Sequence, residues 1–180
     1  MGTSAREQRD GSAPAQIEVI DVERRAGYPV GRMLVSSPLE LDAVIRRIPE
    51  GRVLTLGELR SNLARTHGAD YTCPRTTNSF LLVVAEASLE ERSSGLRYTA
   101  PYWRVVHDDG TMIDELPGGI EEQVRRLAAE GVVVLHLGKT PRLTDVEHYA
   151  WHPPLLGKAA LRRVPGPPAS KTRGPARKKR

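Results

Sequence analysis

Cysteine is almost absent from this sequence, which has Cys73 and no other. A single thiol cannot form an intrachain disulfide, and it cannot supply a zinc site of four thiolates. We therefore expect a chain that folds in a reducing, cytoplasmic setting. His148 and His152 are four residues apart, but Pro153 and Pro154 follow at once and no acidic ligand completes the zinc-protease pattern. No metal and no cofactor are expected.

Long apolar runs are also absent. The first twenty residues are polar and mixed in charge, without the apolar segment of a secretory signal peptide. No later run approaches the ~20 apolar residues that span a bilayer. We expect no membrane partner and, for a chain that binds DNA, a cytoplasmic location on the nucleoid.

Acidic residues are missing from residues 161–180, although eight basic residues lie there. These are Arg162, Arg163, Lys171, Arg173, Arg177, Lys178, Lys179 and Arg180. Because the whole chain has a formal net charge of +5, the residues before this tail carry a net charge of −3. A basic arm spaced by Pro and Gly predicts salt-dependent, nonspecific affinity for DNA. A solubilising end is the alternative.

A length of 180 residues suits one domain with loose ends. Residues 1–15 have little to bury and are predicted to be disordered. Residues 16–36 are predicted to form a β-hairpin extension, and residues 37–138 the main domain. Residues 139–160 form a C-terminal extension, and residues 161–180 are the disordered basic tail.

Three helix starts are recognisable in the main domain. Ser37 precedes a proline, a Glu three residues later and apolar residues at helical spacing. Thr55 opens a short helix with a second capping box, and Pro74 opens a longer helix that Ser93-Ser94-Gly95 should end. A helix, a polar loop and a helix with polar first turns outline a helix-turn-helix. The predicted class is mainly α with small β elements.

The run Pro101-Tyr102-Trp103-Arg104-Val105 has neighbours in a definite order. Upstream is Ile48-Pro49-Glu50-Gly51-Arg52-Val53-Leu54-Thr55-Leu56-Gly57-Glu58-Leu59, and downstream are Asp109-Gly110, Gly118-Gly119-Ile120 and Glu130-Gly131. This set resembles the O6-alkylguanine DNA alkyltransferase family, whose matching runs are Pro-Cys-His-Arg-Val and Ile-Pro-x-Gly-x-Val-x-Thr-Tyr-Gly-x-Leu. The resemblance covers about residues 38–135 and implies a winged-helix or helix-turn-helix domain of the DNA alkyltransferase type.

The resemblance also implies that the reactive residues have been replaced. In the family, Cys accepts the alkyl group and His helps to ionise it, whereas Tyr102 and Trp103 stand in those places here. A phenol with a reference pKa near ~10 is a far weaker nucleophile than a thiolate, and an indole has no basic nitrogen. We therefore predict no catalytic residue and no enzyme activity. Alkyltransferase-like proteins resemble this case, since they carry Trp in place of the Cys and bind flipped-out alkylguanine without repairing it.

Pro101, Tyr102 and Trp103 are predicted to line a pocket for an extruded base. The alternative is that the two rings fill the former cavity and close it. Leu56 stands where the family has a Tyr that helps to rotate the nucleotide, and residues 93–100 lack the family's Asn-Pro hinge. Both departures count against base flipping.

Six side chains outside the tail are predicted to contact DNA: Arg75, Thr76, Thr77, Asn78, Thr55 and Arg104. Arg75 is the nearest match to the family's Arg that enters the duplex in place of the flipped base, with a phosphate contact as the alternative. The three residues after Arg75 begin a helix, where they are suited either to phosphate oxygens or to N-terminal capping. Glu130 supports the lost relay in the family, so its predicted role here is to end a helix.

Three hypotheses for function follow. The first is a non-catalytic alkyltransferase-like protein that binds double-stranded DNA as a monomer, with recognition of alkylated guanine and repair-protein partners as separate expectations. The second is a lesion-independent regulator or chromosome-associated protein. The third is a protein-interaction module on an inherited fold. An enzyme that uses Cys73 is the last alternative, because no base lies near this residue in sequence.

Overall fold

The regular structure of the protein is mainly helical. The computed structural model describes residues 2–21, 28–135 and 140–163. The helices are α1 (Ala5–Asp10), α2 (Pro38–Ile45), α3 (Leu56–His67), α4 (Pro74–Ser93), α5 (Gly119–Ala129), α6 (Val146–Tyr149) and α7 (Lys158–Leu161), with one 3-10 turn at Tyr102–Arg104. The strands are β1 (Gln16–Ile20), β2 (Gly31–Val35), β3 (Leu54–Thr55), β4 (Tyr71–Thr72), β5 (Val105–Val106), β6 (Val134–Leu135) and β7 (Arg142–Leu143). The predicted class, mainly α with small β elements, is confirmed.

The strands form three small sheets. β1 pairs antiparallel with β2, and β2 pairs parallel with β4. β6 and β7 form an antiparallel pair. β3 and β5 pair in parallel, with Leu54 opposite Val105. This last pair brings the run that contains Tyr102 and Trp103 beside the start of α3.

Helices α2, α3 and α4 supply much of the core. Their fully buried apolar residues include Leu41, Val44, Ile45, Leu59, Leu63, Leu81 and Val84. Ser37 caps α2 by accepting a hydrogen bond at Oγ from the backbone N–H of Glu40 (3.3 Å). Helix α4 begins at Pro74 and ends at Ser93, as predicted. Gly95 then has φ of +85°, a conformation that L side chains rarely adopt.

The N-terminal segment differs from the prediction of disorder for residues 1–15. Ser4 and Glu7 form a reciprocal capping box that opens α1. The first two backbone amides of α1 donate to the carboxylate of Glu90 on α4 (2.9 and 3.0 Å). A helix of six residues has little stability on its own, and α1 is capped both by its own Ser4 and Glu7 and by the distant Glu90.

A buried ion cluster holds α1 in place. Arg9 is 1% exposed and lies 3.0 Å from Asp42 and 2.7 Å from Glu91. Arg46 contacts the same two carboxylates from the other side. The segment has few apolar residues to bury, so charge pairing with α2 and α4 provides much of its attachment. This long-range pairing is the physical reason why the local composition mispredicted disorder.

The C-terminal extension also packs on the body. Val53 donates from its backbone N to Tyr149 O (2.9 Å) and accepts from Trp151 N (2.8 Å). The buried side-chain amide of Asn62 on α3 donates to Pro153 O (2.9 Å). Leu161, the last residue of α7, is buried in the core, although it is the first residue of the tail predicted to be disordered. The extension therefore continues the folded domain.

Candidate nucleic-acid interface

The start of α4 is held against α3 and β2. Gly68 ends α3 in the left-handed region with φ of +69°. Thr72 then donates from Oγ1 to the backbone oxygen of Arg60 (2.8 Å), and the backbone N of Cys73 donates to Leu34 O (2.8 Å). The two helices and the strand between them therefore form a braced helix-turn-helix, with the N-terminus of α4 at its turn.

The first two turns of α4 present a polar surface. Arg75, Asn78 and Ser79 are exposed, and Thr76 is half-buried. Residues 74–85 contain no acidic residue. The unpaired N–H groups of a helix N-terminus carry roughly half a positive charge and attract anions such as phosphate. Arg75 adds a full positive charge to this end of the helix.

The threonines near this surface are engaged within the protein. Thr77 is buried and donates from Oγ1 to Cys73 O (2.8 Å), so the structure differs from its predicted phosphate contact. Thr76 donates to the same oxygen (3.3 Å). Thr55 accepts from the backbone N of Glu58 (3.2 Å) and thereby caps α3. These side chains build the helix starts, whereas Arg75, Asn78 and Ser79 on α4 are exposed.

Cys73 lies at the N-cap of α4 and is 3% exposed. Burial would raise the pKa of the Cys73 thiol, but hydrogen bonds from Thr76, Tyr28 and backbone amides lower it below its ordinary value of 9.0. The Tyr28 hydroxyl lies 3.4 Å from its sulfur. The low accessibility supports the interpretation of Cys73 as a structural residue.

The altered run is Pro101-Tyr102-Trp103-Arg104-Val105. Its two aromatic rings pack into the interior. Tyr102 is 1% exposed and Trp103 is 9% exposed, and their centroids lie 5.4 Å apart in an edge-to-face arrangement. The Trp103 indole donates from Nε1 to Glu130 Oε1 (2.8 Å), and the Arg126 guanidinium lies 4.5 Å from the Trp103 ring centroid. Tyr102 therefore lies too deep to line the predicted base pocket, whereas Pro101 and Trp103 reach the edge of a surface concavity.

The Tyr102 hydroxyl is poorly suited to ionise. It is buried and has no hydrogen-bond partner within the described residues. Burial raises the pKa of Tyr102 above its ordinary value of 10.0, although the nearby Arg126 acts in the opposite direction. The phenol therefore stays neutral at pH 7, and a neutral phenol is a weak nucleophile.

Glu130 ties the altered run to its surroundings. Its carboxylate accepts from Nε and Nη2 of Arg104 (2.7 and 2.9 Å) and from the backbone N of Gly51 (3.2 Å). Arg104 also donates to Ile48 O (2.6 Å), and its side chain is 13% exposed. Arg104, predicted to contact DNA, thus braces the interior. Glu130 lies at the C-cap of α5, as predicted, and in addition binds Arg104 and Gly51.

A cavity of about 170 Å³ lies beside the first turns of α4. Its lining combines Leu56, Leu81, Leu82 and Ile113 with the polar residues Asn78, Ser79, His107 and Glu115. It is smaller than the ~300–1,000 Å³ typical of sites for drug-sized ligands. Local sequence patterns pointed to Asn78 but not to Ser79, His107 or Glu115, because such patterns do not show which loops return to a helix.

Three remaining predictions concern the tail, metals and membranes. The tail residues Lys171, Arg173, Arg177, Lys178, Lys179 and Arg180 lie outside the described residues. Within residues 2–21, 28–135 and 140–163, no three His, Cys, Asp or Glu side chains are grouped as metal ligands. Over the same ranges, no helix combines the length and the hydrophobicity needed to cross a membrane.

Two solved structures are similar to this chain. One is S. pombe Atl1 in complex with damaged DNA containing O6-carboxymethylguanine, at 22% identity and a TM-score of 0.43, covering 63% of this chain and 94% of that chain. The other is S. pombe ATL in complex with DNA, at 23% identity and a TM-score of 0.47, covering 63% of this chain and 93% of that chain. No family model and no curated protein matches the chain. Comparison with known proteins thus finds similarity, at low sequence identity, to alkyltransferase-like proteins of S. pombe.

Proposed function

We propose that this protein is a non-catalytic, alkyltransferase-like DNA-binding protein. The observation that carries the proposal is the acid-free face on the first two turns of α4, where Arg75 and Asn78 are exposed. A guanidinium beside a helix N-terminus matches the charge and hydrogen-bonding capacity of a DNA phosphate. Contacts of this kind hold a duplex without requiring a particular base sequence.

The lack of alkyl transfer follows from the chemistry of the altered run. Tyr102 has a raised pKa and a buried hydroxyl. Trp103 donates its indole N–H to Glu130 and has no basic nitrogen that could remove a proton. A stable covalent alkyl-protein product is therefore not expected.

The basic tail supplies a second contribution to binding. Residues 161–180 contain eight basic and no acidic residues, whereas the rest of the chain has a net charge of −3. Electrostatic attraction to DNA from the body is therefore local to surfaces such as the start of α4, and the tail adds general affinity by releasing counterions.

Recognition of an alkylated guanine is a finer part of the proposal. A base that leaves the duplex would enter the cavity beside α4, because Asn78 belongs both to that cavity and to the exposed face. His107 and Glu115 provide further hydrogen-bonding groups for a base edge, while Leu56 provides an apolar wall.

Titration of the full-length chain with a labelled duplex at several salt concentrations tests the DNA interface. We expect Arg75→Glu to lower the affinity about tenfold, because the substitution places a negative charge against phosphate. The slope of log affinity against log salt should fall by about 1. Arg6→Glu, an equal charge change on the exposed side of α1, is the matched control. Equal losses in both variants would contradict a specific contact at α4.

The same titration with and without one O6-methylguanine in the duplex separates the hypotheses. Tighter binding to the modified duplex supports lesion recognition. Equal binding would remove lesion recognition and favour a lesion-independent DNA-binding protein. Absence of binding to either duplex at low salt would overturn the proposal and favour a protein-interaction module.

A further inference from the structure

A second concave surface lies toward the opposite end of α4. It encloses about 580 Å³ between the end of α2 with the loop that follows it and residues 97–104. Arg92, near the end of α4, lies about 26 Å along the helix axis from Arg75 at the ~1.5 Å rise per residue of an α-helix. A duplex that contacts the start of α4 would leave this surface accessible.

Arginine dominates the lining of this concavity. Its charged residues are Arg46, Arg47, Arg92, Arg97 and Arg104, with Glu50 as the one acid. Arg92 and Arg97 are exposed, and neither has a carboxylate partner among the described residues. Arg47 donates to the backbone oxygen of Ala43. Three positive charges are therefore available to a ligand, against the single negative charge of Glu50.

The other two arginines brace the walls. Arg46 donates from Nη1 to Tyr98 O (2.6 Å), and the Tyr98 hydroxyl donates to Arg46 O (3.0 Å). Arg104 joins the two sides by donating to Ile48 O (2.6 Å). Because these bonds already hold the walls together, little ordering of the concavity is needed when a ligand binds.

The concavity also has apolar and aromatic lining, from Pro49, Tyr98, Pro101 and Trp103. The Arg92 guanidinium lies 5.7 Å from the Trp103 ring centroid, which places its charge beside this lining. The backbone of duplex DNA offers phosphates but no apolar side chain. A peptide in which acidic residues alternate with apolar ones complements both the arginines and the rings.

We propose that this concavity binds an acidic peptide segment of a partner protein through Arg47, Arg92 and Arg97. The protein then contacts its partner at one end of α4, and DNA at the other end. Arginine forks bind carboxylates in two-pronged geometry, whereas the apolar lining selects the residues between the carboxylates.

The test uses the full-length protein and a fluorescein-labelled synthetic peptide of repeating Asp-Glu-Phe, followed by fluorescence anisotropy without DNA. We expect the double variant R92E/R97E to bind the peptide about tenfold more weakly. The neutral variant R92Q/R97Q should show a smaller loss in the same direction. The matched control R32E/R142E changes two exposed arginines outside the concavity and keeps the basic tail, which itself attracts acidic peptides.

All variants are also titrated with duplex DNA. Weaker peptide binding by R92E/R97E, with unchanged DNA affinity, supports the proposal. Equal peptide binding by R92E/R97E and R32E/R142E, or no peptide binding by the unmodified protein, overturns it. A loss of DNA affinity as large as the loss of peptide affinity also overturns it, because the concavity is then part of the DNA surface. If the peptide proposal fails, the DNA-binding proposal is still tested separately, by the titration of Arg75→Glu with duplex DNA.

Discussion

Replacing Glu40 with Gln tests whether a buried carboxyl group opposes folding at neutral pH. Glu40 is 2% exposed on α2, and its Oε1 lies 3.2 Å from Nε2 of His67 on α3. Neither Glu40 Oε2 nor His67 Nε2 has a hydrogen-bond partner within the described residues. Burial raises the pKa of Glu40 from 4.5 to about 7, although Lys158 and Arg162 on the C-terminal side act in the opposite direction.

The raised pKa sets the sign and the size of the effect. Between pH 4.5 and about 7 the unfolded chain releases this proton while the folded chain still holds it, so folding becomes less favourable as the pH rises. Above about pH 7 the loss in the free energy of unfolding is constant. It amounts to about 3 kcal/mol, because each pH unit between 4.5 and about 7 contributes ~1.4 kcal/mol. Burial lowers the pKa of His67 below its ordinary value of 6.5. The folded state therefore favours neutral His67, and the protein loses stability as the pH falls and His67 takes up a proton.

Urea unfolding followed by circular dichroism measures this difference. We expect Glu40→Gln to raise the free energy of unfolding by about 3 kcal/mol at pH 8 and by little at pH 4.5. Glu86→Gln, which removes an exposed carboxylate from α4, is the control and should leave the pH profile unchanged. An equal gain at every pH, or a loss at pH 8, would refute the reasoning, since burial of the charge would then not be the dominant cause.

Two further substitutions test the buried ion pairs. Arg9→Met should lower the free energy of unfolding by about 3–5 kcal/mol in urea, because two buried carboxylates lose a partner. Arg6→Met, on the exposed side of α1, should change the free energy of unfolding little. Comparable stability of the two variants would show that the buried ion cluster does not hold α1. Glu130→Ala should cost about 3–5 kcal/mol and shift tryptophan emission to longer wavelength as Trp103 loosens. Glu130→Gln keeps an acceptor for the indole and should retain the emission, so a shift in both variants would show that the indole hydrogen bond is not the cause.

The helices with local signals could be predicted from the sequence. Pro74 sets the first turn of α4, and the residues after Ser93 end it, so both boundaries have a cause within a few residues. Ser37 and Thr55 cap their helices in the same local way. Where a signal and its effect lie within one helical turn, sequence patterns predict the structure well.

Helix α1 has a local signal in the capping box of Ser4 and Glu7, but almost no apolar residues at helical spacing follow it. Its composition is typical of a disordered terminus, and its attachment depends on Asp42 and Glu91, which lie far along the chain. A buried ion pair between distant residues produces no periodicity in the sequence. The Asp42 and Arg46 pair, four residues apart at the end of α2, was a local indication that charges are paired there.

The altered run shows the same limit at the candidate site. The order of the motifs located Tyr102 and Trp103, but it did not decide whether the rings line a pocket or fill it. That outcome depends on Arg126 of α5, which lies over the rings, and on Glu130, which binds the indole. Both residues approach from a later helix, and only the fold brings them together.

The hydrogen bonds of Glu130 stabilise the structure around Trp103 but do not make that residue reactive. An imidazole in the place of Trp103 has two nitrogens and can pass a proton onward, whereas an indole N–H can only donate. The indole therefore keeps the hydrogen bond to Glu130 but cannot act as a base, and Arg104 and Gly51 bind the same carboxylate. The network supports the fold without requiring a reactive residue. Substitutions at the exposed start of α4 should consequently leave this support intact, because no described hydrogen bond joins Glu130 to that surface.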